Sequence, residues 1–287
     1  MAGVEGQVVI VTGAGGGLGR EYALFLASVG AKVVVNDLGG GRDGSGAGTA
    51  MADEVVAEIR AAGGDAVANY DSVATEEGAA AIVATAVGAY GALHGLVNNA
   101  GILRDMSFSK MTTDAWKLLQ SVHLDGSYHM SKAVWPHFRA QGFGRIVMAT
   151  STSGLFGNFG QANYGAAKAG LVGLTHTLAI EGARDGVQVN AIAPMAATRM
   201  TEDVAPSELL DKLPPAFVAP VVTYLLTEEC AESGSVFVVG GGQTYRVAQF
   251  QNAGVTFPEP PSLREVSARW SEISDLSEVT IGVNPVG

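Results

Sequence analysis

Cysteine is almost absent from this chain of 287 residues, since Cys230 is the single one. One cysteine excludes an intrachain disulfide and fits a reducing compartment, so we expect a cytoplasmic protein. Long apolar runs are missing too. No stretch of about 18 apolar residues occurs, which predicts that no segment crosses a membrane. The apolar run Val8–Val11 is too short for the core of a signal peptide.

Basic residues are scarce: 17 lysines and arginines face 28 aspartates and glutamates, for a net charge of −11. Nucleic-acid binding depends on basic patches, so we expect no nucleic-acid partner. The five histidines form no metal-ligand pattern with cysteine or carboxylate, and we expect no metal. Only 16% of the residues are charged and 47% are hydrophobic, which predicts a large buried core rather than a disordered chain.

A glycine-rich loop follows the first apolar, β-branched run. The run Val8–Val11 leads into Thr12-Gly-Ala-Gly-Gly-Gly-Leu-Gly19, a helical pattern covers Arg20–Val29, and a second short strand ends at Asp37. A strand, a glycine loop, a helix and a later acid are the arrangement of a dinucleotide site. The loop and the helix N-terminus present N–H groups to a pyrophosphate. The candidate cofactor-binding residues of this loop are Gly13, Gly17, Leu18 and Gly19.

Asp37 predicts the choice of dinucleotide. A carboxylate at the end of the second strand accepts both ribose hydroxyls of the adenosine half and repels a 2′-phosphate, which favours NAD over NADP. Arg42 follows five residues later, so NADP stays an alternative cofactor.

Tyr164 and Lys168 are a candidate catalytic pair. Residues four apart in a helix lie on the same face, so a helix that begins near Tyr164 places a phenol beside an ammonium. A neighbouring positive charge lowers the pKa of a phenol from its usual value of about 10. Ser151 follows the apolar run Arg145–Thr150 and is expected at the tip of a strand, within reach of the same substrate oxygen. Such tyrosine–lysine pairs also occur by chance on surfaces, and the glycine loop is what favours the catalytic interpretation.

Helical patterns alternate with short β-branched runs over residues 1–242. This alternation predicts an α/β fold: a single doubly wound parallel sheet of seven strands, of the Rossmann type, with helices on both faces. Ligands bind at the carboxyl ends of such strands, where every motif above falls. Residues 243–287 are expected to form a C-terminal extension that packs on the domain or on a neighbouring subunit. The helices expected beyond the first are Ala50–Ala62, Glu76–Tyr90, Thr113–Arg139, one from about Tyr164, and Leu263–Ile273.

Over about residues 5–242 the chain resembles the short-chain dehydrogenase/reductase family. The resemblance is carried by the glycine loop, Asp37, Asp71-Ser-Val73, Asn98-Asn-Ala-Gly101, Ser151, Tyr164-Gly-Ala-Ala-Lys168 and Pro194 to Thr198. It implies that Tyr164 is the catalytic base, that Ser151 orients and stabilises the reacting oxygen, and that Lys168 binds the nicotinamide ribose and lowers the pKa of the tyrosine.

The same resemblance implies further cofactor contacts. Asp71 and Val73 are expected to line the adenine, and Thr198 is expected near the nicotinamide carboxamide. Homodimers or homotetramers are expected through the two longest helices, and Met195–Pro215 is the expected lid over the substrate. The remaining candidate cofactor-binding residues are Asn99, Ala100, Gly101, Tyr164, Lys168 and Pro194.

The chain departs from the family pattern at two positions. His123 replaces the usual catalytic asparagine, and Met195 replaces the glycine that usually follows Pro194. A subgroup that acts on 3-hydroxyacyl-CoA thioesters carries the histidine, and it shares Asn98–Asp105 and Gly157–Tyr164 with this chain. We count His123 as a candidate catalytic residue in a proton relay or in positioning the helix. A histidine bonded to a backbone carbonyl at a helix kink is the alternative.

The subgroup implies NAD-dependent oxidation of a 3-hydroxyacyl-CoA to the 3-ketoacyl-CoA, with acyl-CoA or steroid-CoA thioesters as substrates. Three alternatives stay open. The chain could act at C17 of free steroids as a 17β-hydroxysteroid dehydrogenase, or as a 3-ketoacyl carrier-protein reductase, or it could be a catalytically silent scaffold that binds nucleotide.

Overall fold

A parallel β-sheet forms the centre of the computed structural model, which describes residues 3–197 and 212–284. Its strands lie in the order β3-β2-β1-β4-β5-β6-β7-β8, and each neighbouring pair among the first seven is parallel. The order reverses between β1 and β4, so their carboxyl ends open the crevice in which ligands of such sheets bind. The strands are β1 Val8–Thr12, β2 Lys32–Asn36, β3 Asp65–Asn69, β4 Gly95–Asn98, β5 Gly144–Ala149, β6 Val187–Pro194, β7 Val236–Gly240 and β8 Gln243–Val247.

Alternate residues of the strands enter two separate cores. In β1, Val9 and Val11 pack on one side of the sheet and Val8 and Ile10 on the other, as the two-residue period of a strand requires. Helices α1, α2 and α8 cover the first core, and α3, α5 and α7 cover the second. The helices are α1 Gly17–Ser28, α2 Ala50–Ala61, α3 Glu76–Tyr90, α4 Thr113–Gln120, α5 Gly126–Gln141, α6 Thr152–Phe156, α7 Ala162–Gly182 and α8 Ala219–Leu225. The predicted doubly wound α/β fold is confirmed.

The strand count corrects the prediction: among the described residues the sheet has eight strands, not seven. The extra strand is β8, whose side chains are mostly exposed. A strand of this kind lacks the continuous apolar run by which buried parallel strands are found in a sequence.

The long helix predicted over Thr113–Arg139 is interrupted. Between α4 and α5 the chain makes a π-turn, Ser121–Asp125, with His123 buried at its centre. One-turn π-segments inside helices are frequent at functional sites. A π-turn changes which side chains point toward the sheet, and here it turns an imidazole inward.

The chain divides into two units, Met1–Tyr245 and Arg246–Gly287. The second unit contains the antiparallel pair β9 Phe250–Gln251 and β10 Thr280–Ile281 and two short helices, α9 Leu263–Ala268 and α10 Trp270–Ile273. The single helix expected over Leu263–Ile273 is therefore two. How the extension packs stays a prediction.

Within residues 3–197 and 212–284, no helix combines the length and the apolar character needed to cross a bilayer.

Candidate active site

Thr12 and Asn99 join the ends of β1 and β4. The Thr12 hydroxyl accepts the N–H groups of Asn99 and Ala100 at 3.0 and 3.1 Å and donates to the carbonyl of Val97. The Asn99 amide donates to the carbonyl oxygens of Thr12 and Gly13 at 2.9 and 3.2 Å. The two strand ends on which a cofactor would rest are thus fixed to each other.

The glycines of the loop allow a close backbone approach at this junction. A Cβ on Gly13 would lie 2.7 Å from Cα of Ala100, and one on Gly19 would lie 2.1 Å from the carbonyl oxygen of Gly13. No side chain fits at either position. Helix α1 begins at Gly17 and is capped by Gly16 without a side-chain hydrogen bond, so its first N–H groups face outward from bare backbone. This is the surface that an anionic pyrophosphate requires.

Asp37 lies beside this loop at the end of β2. Its carboxylate accepts the N–H of Gly15 at 2.8 Å and the N–H of Gly39 at 2.7 Å, one on each oxygen. A carboxylate offers about four lone pairs, so two stay available for ribose hydroxyls. The two backbone bonds fix the orientation of the carboxylate before any ligand binds.

A cavity of about 310 Å³ lies over this region, a volume of the size that small-molecule sites occupy. Residues from the ends of β1, β2 and β4 line it, together with the glycine-rich segment that follows Asp37. The lining includes the predicted residues Gly13, Gly17, Leu18, Gly19, Asp37, Asp71, Val73, Asn99, Ala100 and Gly101.

Two buried asparagines that were not predicted hold Asp71 at the rim of the cavity. Asn36 donates to the side chain of Asn69 and to the backbone carbonyl of Asp71, both at 2.9 Å. Asn69 donates to the Asp71 carboxylate at 2.8 Å. An asparagine at the end of each of two neighbouring parallel strands is the signal that could have identified them.

Ser151, Tyr164 and Lys168 meet where β5 ends and α7 begins. The hydroxyl of Ser151 caps α6 by accepting the N–H of Ser153 at 3.2 Å, and it also hydrogen-bonds to Tyr164. The ammonium of Lys168 is buried, lies 5.6 Å from the centroid of the tyrosine ring, and donates to the carbonyl of Ala149. The structure therefore brings the three predicted residues together.

The protonation of this pair differs from the expectation. Burial raises the pKa of Tyr164, and the hydrogen bond from Ser151 offsets part of that rise, while the carboxylate of Asp105 adds to it. Burial also lowers the pKa of Lys168 to about 7. We expected the positive charge of Lys168 to lower the pKa of the phenol. In the free chain, the burial of both groups away from water has the larger effect on their pKa values.

His123 is the contact between the cavity and the catalytic tyrosine. Its ring meets that of Tyr164 edge to face, with the centroids 5.3 Å apart. Its Nε2 lies 2.9 Å from the backbone nitrogen and 2.8 Å from the backbone oxygen of Ile102. Burial and the charge of Lys168 lower the pKa of His123 well below its usual range, so the imidazole is neutral near pH 7. Among the described residues, no group hydrogen-bonds to its buried Nδ1.

Two amide side chains at the start of α7 were missed by the sequence analysis. Asn163 is fully buried, accepts the N–H of Tyr164 at 2.8 Å and donates to the carbonyl of Arg104 at 3.1 Å. Gln161 donates to the carboxylate of Asp105 at 2.8 Å and accepts from Ser153 at 2.7 Å. These bonds fasten the tyrosine to the segment that follows β4, which a local sequence pattern does not reveal.

The remaining predicted residues lie at the end of β6. Pro194 pairs with Val239 of β7, at the carboxyl edge of the sheet. Thr198 and most of the expected lid, Met195–Pro215, lie outside the described residues, and their roles stay predictions.

Comparison with known proteins gives concordant findings. The model of the family described as short chain dehydrogenase matches residues 7–209. A short-chain type dehydrogenase/reductase of Mycobacterium tuberculosis is 66% identical over 281 residues, which are 98% of both chains. A hydroxyacyl-CoA dehydrogenase of the same organism is 40% identical, over 96% of this chain and 87% of its own length.

A solved structure extends the likeness to three dimensions. Full-length peroxisomal multifunctional enzyme type 2 of Drosophila melanogaster matches 98% of this chain at a TM-score of 0.82 and 40% identity. The match covers 47% of that longer chain, so the activity of the whole multifunctional enzyme does not transfer by itself.

Proposed function

This chain belongs to the short-chain dehydrogenase family, and from that premise we propose that it oxidises a 3-hydroxyacyl-CoA to the 3-ketoacyl-CoA with NAD. The observation that carries the proposal is the arrangement of Ser151 and Tyr164 beside a cavity that the glycine loop and Asp37 line. The name of the mycobacterial hydroxyacyl-CoA dehydrogenase supports the choice of substrate. Thioesters of steroid side chains are included in the proposed substrate class.

Tyr164 acts as the general base. Its hydroxyl faces the substrate oxygen together with Ser151, whose hydrogen bond favours the phenolate and opposes the effect of burial. When substrate binds, the single O–H of Ser151 turns from the tyrosine to the substrate. The phenolate takes the proton from the C3 hydroxyl, and Ser151 donates a hydrogen bond that holds the oxygen as it becomes a carbonyl. The chemistry that the bound nicotinamide supplies is acceptance of the hydride from C3.

Lys168 supplies positive charge at the bottom of the site, beside Tyr164. Its ammonium is held by the carbonyl of Ala149, and the residue follows the tyrosine by one helical turn. Lys168 would hold the ribose of a bound dinucleotide by donating to its hydroxyls. Such bonds would favour the charged form of the lysine and with it the phenolate of Tyr164.

NAD is the proposed cofactor because Asp37 holds a charged carboxylate at the end of β2, where a 2′-phosphate would meet like charge. Members of this family generally use NAD or NADP.

We place the protein in the cytoplasm, in keeping with the single, buried Cys230. We also propose that the chain forms a homodimer or homotetramer through α5 and α7.

A 17β-hydroxysteroid dehydrogenase acting on free steroids is the second candidate, because the same three residues would serve either alcohol. The two activities differ in whether the enzyme requires the CoA thioester. A silent scaffold is disfavoured because Ser151, Tyr164 and Lys168 are all present and in contact.

A substrate panel tests the proposal. The purified protein is mixed with NAD and a 3-hydroxyacyl-CoA, a 17β-hydroxysteroid or no alcohol, and NADH is followed by its absorbance. We expect turnover with the 3R thioester and at least a hundredfold less with the free steroid, roughly the discrimination that a few lost contacts produce. Faster oxidation of the steroid would refute the proposal, and no turnover of either would favour a scaffold.

A further inference from the structure

Three large aromatic side chains are exposed beside the catalytic residues. Phe108, Phe156 and Phe159 are 77%, 69% and 90% accessible. Single exposed apolar residues need no explanation, whereas a cluster of them marks an interaction surface. We call these three residues the aromatic rim.

Hydrogen bonds join the segments that carry two of the rim residues, Phe108 and Phe159. The N–H of Met106 donates to the carbonyl of Gly160 at 2.8 Å, which joins the segment that carries Phe108 to the one that carries Phe159. Gln161 bonds to Asp105 across the same junction. Both segments are thereby fixed beside each other at the start of α7.

The rim is also tied to the catalytic serine. Ser151 caps α6, and Phe156 is the last residue of that short helix. At about 1.5 Å of rise per residue, Phe156 lies roughly 7.5 Å from the serine along the helix axis. Phe159 lies between Gly157 and Gly160, both at φ 80°, and is the most exposed of the three aromatic residues.

We propose that the aromatic rim is the binding surface for the apolar chain of the substrate, beyond the carbon that is oxidised. This inference rests on the proposed function, which places C3 of the thioester at Ser151 and Tyr164. The chain that continues from C3 leaves the catalytic residues and meets the phenyl rings. Contact removes apolar area of both partners from water, so the enzyme favours long or bulky acyl groups over short ones.

The test is the dependence of kcat/KM on acyl length. Full burial of one methylene group is worth about fourfold in affinity, and contact with one open surface is worth roughly half that free energy, or about twofold. We expect the wild-type protein to prefer a dodecanoyl to a butanoyl 3-hydroxy substrate. In the variant Phe156→Ser/Phe159→Ser the ratio of the two kcat/KM values falls at least tenfold, while the rate with the short substrate stays within about twofold.

Tyr224→Ser is the matched control. Tyr224 is exposed to 51% and lies on α8, which covers the opposite face of the sheet from α7. This variant loses comparable exposed apolar surface and keeps the wild-type chain-length ratio. An equal fall in the control would overturn the inference, as would an unchanged ratio in the rim variant.

Binding of saturated dodecanoyl-CoA, measured by calorimetry, separates the two proposals because it needs no turnover. Weaker binding by the rim variant together with no oxidation of any 3-hydroxy thioester would support the rim and refute the proposed function. Unchanged binding, with a shift in oligomeric state on gel filtration, would show that a second copy of the chain covers the rim and would refute the inference.

Discussion

The imidazole of His123 lies against the α-carbon of Gly101, where there is no room for a methyl group: a Cβ on Gly101 would be 2.4 Å from Cε1 of the histidine. The glycine belongs to the loop that lines the cavity, and the histidine ring also contacts Tyr164. The two residues therefore link the side of the site where the cofactor would bind to the candidate general base, Tyr164.

Gly101→Ala is expected to destabilise the protein by about 1–3 kcal/mol, since overpacking of a buried ring displaces neighbouring groups. It should also lower kcat, because the displaced ring pushes on Tyr164. The double variant Gly101→Ala/His123→Asn should recover most of the stability, because asparagine leaves space for the methyl group. Denaturant titration of the four proteins measures the coupling.

Gly88→Ala is the control for that cycle. Gly88 lies inside α3, and no atom would come within 4 Å of its Cβ. We expect equal or slightly higher stability there, because alanine favours a helix over glycine. Additive effects of Gly101→Ala and His123→Asn would show that the contact carries no energy.

Tyr164→Phe tests the general base. The substitution removes one oxygen and keeps the ring that packs on His123, so we expect NAD to bind nearly as in the wild type while kcat falls by about a hundredfold to ten-thousandfold. Fluorescence titration with NADH measures the first quantity and steady-state kinetics the second. Tyr224→Phe, on an exposed tyrosine of α8, should leave both unchanged. Near-normal turnover of Tyr164→Phe would eliminate the mechanism.

Asp105→Asn tests the electrostatics of the base. The carboxylate raises the pKa of Tyr164, so neutralising it lowers that pKa, and the rise of kcat/KM with pH should move to lower pH. Asparagine keeps an oxygen for the bond from Gln161, which limits the change to charge. Because Asp105 is exposed, the difference should shrink at high salt. Glu181→Gln, at the far end of α7, is the control; an identical pH profile in Asp105→Asn would refute the assignment.

The strand, glycine loop, helix and acid around Asp37 could be predicted because they depend on local patterns: a buried β-branched run, bare backbone and a helical period. The same holds for the face shared by Tyr164 and Lys168, and the predicted family is confirmed. The π-turn could not be predicted, because it depends on the contact of His123 with Gly101 and Tyr164, which are far apart in sequence.

The protonation of the catalytic pair was mispredicted for a similar reason. Spacing shows that Tyr164 and Lys168 share a helix face, and it carries no information about their distance from water. In the folded chain burial dominates both pKa values. The fastening of α7 by Gln161 and Asn163 was likewise missed, because their partners Asp105 and Arg104 follow a different strand.

Asp37→Asn tests the cofactor preference. The substitution keeps the shape and one acceptor oxygen, but removes the charge that would repel a 2′-phosphate. We expect kcat/KM with NAD to fall about tenfold, the value of a hydrogen bond to a charged group, and the NADP to NAD ratio to rise at least as much. Asp43→Asn, in the same glycine-rich segment, should change neither. An unaltered ratio in Asp37→Asn would show that other residues determine the choice between NAD and NADP.

Lys168 should make the stability of the protein depend on pH. Burial lowers its pKa from 10.5 to about 7. Between these values the unfolded chain binds more protons than the folded one, so stability rises with pH across that window, by at most about 1.4 kcal/mol per unit. Below about pH 7 both states are protonated and the slope from this residue disappears.

Lys168→Met removes the slope and the burial of charge, so it should raise the unfolding midpoint near pH 7 while turnover is lost. Lys132→Met, on an exposed lysine of α5, should keep the wild-type slope. Urea unfolding from pH 7 to 10 measures all three proteins, and a wild-type stability that rises no more steeply than that of Lys168→Met would show that the buried lysine keeps its proton.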